Sequence, residues 1–304
     1  MKLPISRLPG LKPSRRLLQS LVTIAALAIF AYAASFWWVN IRNNPERIFW
    51  GAIENSLSTR SVVTSIPRNT TVNQPDQFFF VTNSPDKAAT GVEKFYRSGD
   101  NDEPYQVREF IGTTTSDFVR IKDYVETRPN AEQPDISSFR NVWADITEQD
   151  GEGRLYQRFA FELIPFVYVP EDVRPMLLEK IRASEVYDVN FSNAIKTTHN
   201  GRPALLYDVR VNPEQYAAAL KELAPYIGIE ELKDINPSDF SNQPQIRLRV
   251  TIDTLSKQLV VLRQTMQDET STFAGHNLRR PEIEAPENHI SVEELQERLR
   301  AISE

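Results

Sequence analysis

The apolar pattern divides the chain into two regimes. From Leu17 to Ile41 no residue is charged, and Leu21, Ile24, Leu27, Ile29 and Phe30 point to all sides of a helix. At about 1.5 Å per residue these 25 positions span roughly 37 Å. That exceeds the roughly 30 Å hydrocarbon core of a bilayer. Trp37 and Trp38 fall at the far end, where amphipathic rings favour the membrane interface. The pattern predicts a transmembrane helix over 17–41, preceded by a short segment, 1–16.

Beyond it the pattern is one-sided. Asn44-Pro45-Glu46 is a helix start, with a capping side chain followed by a proline whose missing N–H costs nothing at the first position. Phe49, Ala52, Ile53, Ser56 and Leu57 then share a face, predicting a helix over 45–58. A domain over 43–304 therefore begins without a long linker. Strands are expected at 76–82, 104–112 and 117–126, a loop at 127–137, and a hairpin of 139–148 with 154–163 around Asp150-Gly151-Glu152-Gly153. Val173, Leu177 and Ile181 predict a helix over 171–184.

The last third is the most regular. Segments 186–191 and 204–211 read as strands joined across Asn200-Gly201. Asn212-Pro213-Glu214 starts another helix, with Tyr216, Ala219, Leu220 and Leu223 inward and Gly228 past its end. Ile246, Leu248, Val250 and Ile252 alternate with Arg247, Arg249, Thr251 and Asp253, as in a sheet with one buried and one wet face. Residues 258–266 return as a strand. Ser291 and Glu294 form a capping box for a final helix striped by Leu295, Leu299 and Ile302. Strands outnumber helices and do not alternate with them regularly, so the expected class is α+β on an antiparallel sheet.

Charge gives this pattern a direction. The chain has 304 residues and a net charge of −6. Residues 1–41 hold Lys2, Arg7, Lys12, Arg15 and Arg16 and no acid, a charge of +5, so the remainder carries −6 − 5 = −11. Basic residues before the span put the amino terminus in the cytoplasm and the domain outside, in the cell envelope, as a single-pass protein. The competing reading is a signal peptide cleaved after Ala33, within the small-x-small run Ala31-Tyr32-Ala33. The acidic bulk argues against nucleic acid as a partner. With no cysteine, disulfides, thiolate metal sites, cysteine nucleophiles and a lipidated cysteine are all excluded.

Candidate chemistry is sparse. No phosphate loop, dinucleotide fingerprint or nucleophile elbow occurs. Ser84 and Lys87 have a Ser-x-x-Lys spacing, but within a turn and without companion motifs. His199 and His276 border glycine turns, and His289 lies near Glu282, Glu284 and Glu287, a set of hard-cation ligand types that is commonest as a solvated loop. No catalytic residue, metal or cofactor is expected.

Between 186 and 290 the order is strand, Asn-Gly turn, strand, helix, then the alternating strand ending Ile252-Asp253-Thr254 and a return through Leu259 and Leu262. Phe273-Ala274-Gly275-His276-Asn277 and Ile283-Glu284-Ala285-Pro286 follow. This succession, with the amphipathic helix at 45–58, resembles the lipoprotein-carrier superfamily of LolA-like carriers and LppX/LprG-like lipoproteins. The resemblance implies a strongly curved antiparallel sheet, an incomplete barrel with helices on its concave side, and a lipid or other apolar ligand in the hollow. It makes Ile246, Leu248, Val250 and Ile252 the candidate ligand face. The expected function is non-enzymatic binding of a hydrophobic ligand at the membrane surface. The alternative is an envelope module contacting protein or cell wall, with those side chains forming an ordinary core.

Overall fold

A computed structural model describes residues 15–36, 43–66, 77–82, 89–97, 105–126, 132–133, 135–147, 155–156, 162–265, 269–278 and 283–303. Side chains are described for all of these but 15–18, 21, 36, 65–66, 77–82, 89–97, 105–106, 125, 269 and 302–303. Contacts divide the chain into two units, Met1–Arg47 and Ile48–Glu304.

The first unit contains helix α1 (Arg15–Phe36), 22 residues long. Its large apolar side chains are exposed on every side, from Val22 and Ile24 at 63% to Tyr32 at 74%. Counted over the described residues, no helix is long and apolar enough to cross a membrane.

The second unit is a single sheet with helices packed against one face. Helix α2 (Pro45–Ser56) leads into it and buries Phe49, Ala52, Ile53 and Ser56 of the stripe that the spacing predicts, together with Ile48, which that stripe does not include; Leu57, its last member, is buried just past the helix end. Asn44 Oδ1 accepts the Arg47 N–H at 3.2 Å, which caps its start. Strands β1 (Ser61–Ile66), β2 (Gln77–Thr82), β3 (Ala89–Arg97), β4 (Tyr105–Thr113) and β5 (Asp117–Val125) follow as an antiparallel meander. After β6 (Trp143–Asp145) and helix α3 (Arg174–Ala183) come β7 (Tyr187–Val189), β8 (Ile195–His199) and β9 (Arg202–Val211). Helix α4 (Pro213–Ile227) precedes β10 (Ile246–Asp253), β11 (Leu259–Gln264) and β12 (Glu269–Ala274). The chain closes with β13 (Ile290–Ser291) and helix α5 (Val292–Ser303).

Among the described residues all 13 strands form one sheet, in the order β13-β6-β5-β4-β3-β2-β1-β12-β11-β10-β9-β7, with β8 also on β9. The α+β class is therefore as expected. One pair departs from the antiparallel rule: β13 runs parallel to β6 at the edge. Two further details differ from expectation. The strand joined to β9 across Asn200-Gly201 is β8, while β7 pairs with the far end of β9. Asn190 separates the two by accepting the Ser192 N–H and starting a short 3-10 turn. The expected strand over 154–163 is not formed where it is described, since Leu155 and Tyr156 are helical; the rest of it, and the turn at 150–153, lie outside the described residues.

Helix α4 is the most legible element. Asn212 Oδ1 accepts the N–H of Glu214 at 3.1 Å, and Gly228 ends the helix at φ +80° with its N–H on the Ala224 carbonyl. Only a residue without Cβ adopts that φ cheaply.

Candidate ligand-binding face

The alternating strand β10 sets the site. Leu248, Val250 and Ile252 are 0–1% exposed, and Ile246 is half-buried at the end of the row. They belong to one buried cluster with Phe49 and Ile53 of α2 and Leu220, Leu223 and Ile227 of α4. Phe49 is the hub, with its ring centroid 5.5–6.0 Å from those of Tyr187, Phe191 and Tyr207. Over β9–β11 the covered face is thus packed with protein side chains.

The same face continues across the sheet. Register partners run from Phe273 of β12 to Thr64, Phe79, Val92, Phe110, Val119, Ala144 and Ile290 on successive strands. Seven of these eight positions are apolar. The exception, Thr64, is 1% exposed and its hydroxyl has no hydrogen-bond partner among the described residues. The far end of the row forms a second cluster in which Phe110, Val119 and Ala144 meet Ile136, Phe139 and Leu295.

The adjacent row, Val62–Val81–Thr90–Gly112–Asp117, carries a close crossing. A Cβ at Gly112 would lie 2.7 Å from Leu155 Cβ and 2.9 Å from the Tyr156 nitrogen. The Leu155 N–H donates to Asp117 Oδ2 at 3.0 Å, and the Tyr156 hydroxyl donates to the Ile227 carbonyl at 2.9 Å. Leu155 belongs to one cluster and Tyr156 to the other, so this dipeptide links them.

Residues 162–169 cross the first cluster as a strap. Tyr187 donates to the Leu163 carbonyl at 3.0 Å, and Tyr216 donates to that of Glu162. Val167 and Val169 N–H groups donate to the Ser56 and Leu57 carbonyls at 3.0 and 2.8 Å. Burial pushes the Tyr156, Tyr187, Tyr207 and Tyr216 phenols well above their usual range, so all four stay neutral.

Helices α3 and α4 leave a cleft of about 280 Å³ between them. Leu177, Ile181, Val186 and Leu223 form its floor, and Lys180 Nζ and Glu222 Oε2 pair at 3.0 Å at its mouth. Sites for small ligands begin at about this size, roughly 300 Å³. Periodicity locates the two helices but cannot reveal that they stand apart here.

The polar candidates are scattered. His199 touches Asn200 in the turn, and His289 Nε2 lies 3.9 Å from Asp145 Oδ2. His276 is buried and donates to the Leu259 carbonyl at 2.9 Å; burial lowers its pKa, a shift that this bond only partly opposes. Among the described residues no three His, Asp or Glu converge on a point that could hold a metal. Ser84, Lys87 and Glu282 lie outside the described residues. Sequence reasoning overlooks Asp253. Burial raises its carboxyl, but Ser256, Arg202 and Leu255 donors outweigh that and hold it below the usual carboxylate range. Its role is to close the β10–β11 turn.

Of the anchor residues, Ile24, Leu27, Ile29 and Phe30 are exposed on α1, the Leu21 side chain is not described, and Trp37 and Trp38 lie outside the described residues.

The architecture is that of an α+β protein whose helices cover one face of a large antiparallel sheet. Among solved structures it is similar to LprF from Mycobacterium bovis, at 12% identity over 80% of this chain and 96% of that one, with a TM-score of 0.38. It is also similar to the Mycobacterium tuberculosis lipoprotein LppX, at 10% identity over 79% of this chain and 100% of that one, with a TM-score of 0.40. No family model matches the sequence, and no curated protein does.

Proposed function

We propose that the chain is a membrane-anchored, extracytoplasmic, non-enzymatic protein that holds a lipid-like hydrophobic ligand against the covered face of its sheet. The anchor is 17–41, with its basic flank in the cytoplasm and 43–304 outside. A helix apolar on all sides is at home only in a protein core or a membrane, and α1 has its described apolar side chains exposed. Thirteen strands in one sheet also support strong curvature into an incomplete barrel, since open sheets seldom exceed about ten strands without curling.

The observation that carries the reading is the transverse row from Phe273 to Ile290, apolar but for the buried Thr64 hydroxyl, which no described residue partners. A buried hydroxyl left alone is costly, and a ligand with one polar group among apolar ones would satisfy it. On this reading Ile246, Leu248, Val250 and Ile252 form the packed wall of the ligand space.

Native mass spectrometry and solvent extraction of the detergent-purified full chain test the proposal. A stoichiometric, titratable hydrophobe is expected, and Thr64→Val weakens its retention without lowering the melting temperature. A chain that neither carries nor takes up a hydrophobe refutes it. The packed cluster over β9–β11 favours a second reading, an envelope interaction module without a ligand, and that same negative result would leave it standing.

A further inference from the structure

The edges of a sheet are templates for further strands, and short, charged or interrupted edge strands blunt them. Strands β13 and β7 are only two and three residues long. Strand β8 (Ile195–His199) is longer and, among the described residues, pairs with β9 alone. Ile195, Lys196, Thr197 and Thr198 are all exposed. The strand has no proline and its register is unbroken, so Lys196 is its one guard against pairing.

The turn fixes which backbone groups of β8 face outward. Asn200 and Gly201 have φ of +49° and +75°, as a type I′ hairpin turn closed by His199 and Arg202 requires. That closing pair is hydrogen-bonded, and bonded pairs alternate with non-bonded ones along the ladder. Thr197 with Ala204 and Ile195 with Leu206 are therefore bonded pairs. The N–H and C=O of Lys196 and Thr198 point away from β9. Pro203, opposite Thr198, agrees, since its carbonyl faces the other way and accepts the Thr254 N–H at 3.0 Å. Among the described residues no hydrogen bond reaches the outward groups. Donors and acceptors spaced in this way along an exposed edge fit an added extended strand.

We infer that this added strand is β8 of a second copy of the chain, joining two sheets edge to edge about a two-fold axis at Thr197. In that register Lys196 of each copy exchanges hydrogen bonds with Thr198 of the other, which satisfies every outward group. Thr197 faces Thr197, a favourable cross-strand pair. Ile195, 55% exposed, gains His199 of the second copy as its neighbour. The competing registers are worse. Centring on Lys196 sets like charges directly opposite each other, and centring on Thr198 leaves the Lys196 groups outside the ladder. The edge is thus complementary to itself in one register, with its single charge out of the way. Five residues a side make a smaller contact than a standard interface, so the pairing is concentration-dependent and exchanges readily.

The absence of cysteine makes single-cysteine cross-linking a direct test. Two Thr197→Cys copies meet as a non-hydrogen-bonded pair with Cα atoms about 4.5 Å apart, inside the disulfide range of roughly 4.4–6.8 Å. Two Lys196→Cys copies meet only diagonally at about 7–8 Å, past the limit of about 7 Å. Mild oxidation of the full chain in detergent is expected to link Thr197→Cys into dimers and to leave Lys196→Cys monomeric. Thr198→Pro removes an outward N–H from each copy and leaves the β8–β9 bonds intact. Added to Thr197→Cys, it slows cross-linking about 25-fold, at about fivefold for each of two lost bonds, with the melting temperature unchanged. Equal cross-linking at 196 and 197 overturns the pairing, as does a sedimentation mass that stays monomeric at every concentration. In membranes, a Thr197→Cys adduct with a different protein and no dimer gives the edge to that protein and overturns self-pairing.

Discussion

Gly112→Ala tests the crossing that joins the two clusters. A strand glycine replaced by alanine ordinarily stabilises by about 0.4–1 kcal/mol, because the unfolded chain loses freedom. Here the opposite sign is expected. The added Cβ would sit 2.7 Å from Leu155 Cβ, 2.9 Å from Asp117 Oδ1 and 2.9 Å from the Tyr156 nitrogen. Ordinary contact begins at 3.4 Å, so the Leu155–Tyr156 segment must lift by about 0.5–0.7 Å. One obstacle is backbone, which cannot rotate away. Overpacking of this kind costs about 1–3 kcal/mol. Lifting the segment also stretches the Leu155 N–H bond to the buried Asp117 carboxylate, a bond type worth about 1.5–3 kcal/mol. After the unfolded-state gain the net loss is about 1–3 kcal/mol, or roughly 2–10 °C in melting temperature for a domain of this size. Denaturant and thermal melts of the full chain in the same detergent measure it. A midpoint equal to or above wild type would refute the close approach and the linkage of the clusters through 155–156.

Phe49→Ala empties the aromatic hub under the strap and is expected to cost about 3–5 kcal/mol in denaturant titration. A loss below about 1 kcal/mol would show that the cluster is not solidly packed. Asn212→Ala removes the cap of α4 and lowers stability by about 1 kcal/mol, whereas Asn212→Gly costs only a few tenths. Because the folded pKa of Asp253 is depressed, its contribution is complete above the unfolded value near 3.9 and disappears as pH falls through the folded one. Asp253→Asn is therefore about 1–3 kcal/mol less stable at pH 7, with a deficit that narrows below about pH 4; a constant deficit from pH 7 to pH 2 contradicts the assignment. His276 also has a depressed folded pKa, so its contribution is complete above about pH 6.5 and declines as pH drops towards the folded value. Melting curves between pH 7.5 and 5 should show this slope in wild type and a flatter one in His276→Gln.

Local chemistry made much of the second unit legible. Asn44-Pro45 and Asn212-Pro213 announce helices α2 and α4 because caps act over three residues. The alternation of β10 announces its buried side because side-chain direction along a strand has period two. The parallel β13–β6 pair was hidden, because two residues of strand carry no periodicity. Leu155-Tyr156 is helical where the sequence predicts a strand, because a Gly-rich turn next to apolar residues is also a hairpin signal.

What the sequence alone determined is the one-dimensional order: an uncharged stretch with five basic residues before it, an acidic remainder, and elements whose apolar sides are set by spacing. These follow from charge and from contacts a few residues apart. Only the tertiary structure decided that Leu248, Val250 and Ile252 are packed by α2 and α4, and that Thr64 interrupts an apolar row crossing eight strands. Those facts depend on register between strands far apart in the chain. A shift of one residue would turn every side chain to the other face, and no local pattern records which strand lies beside which.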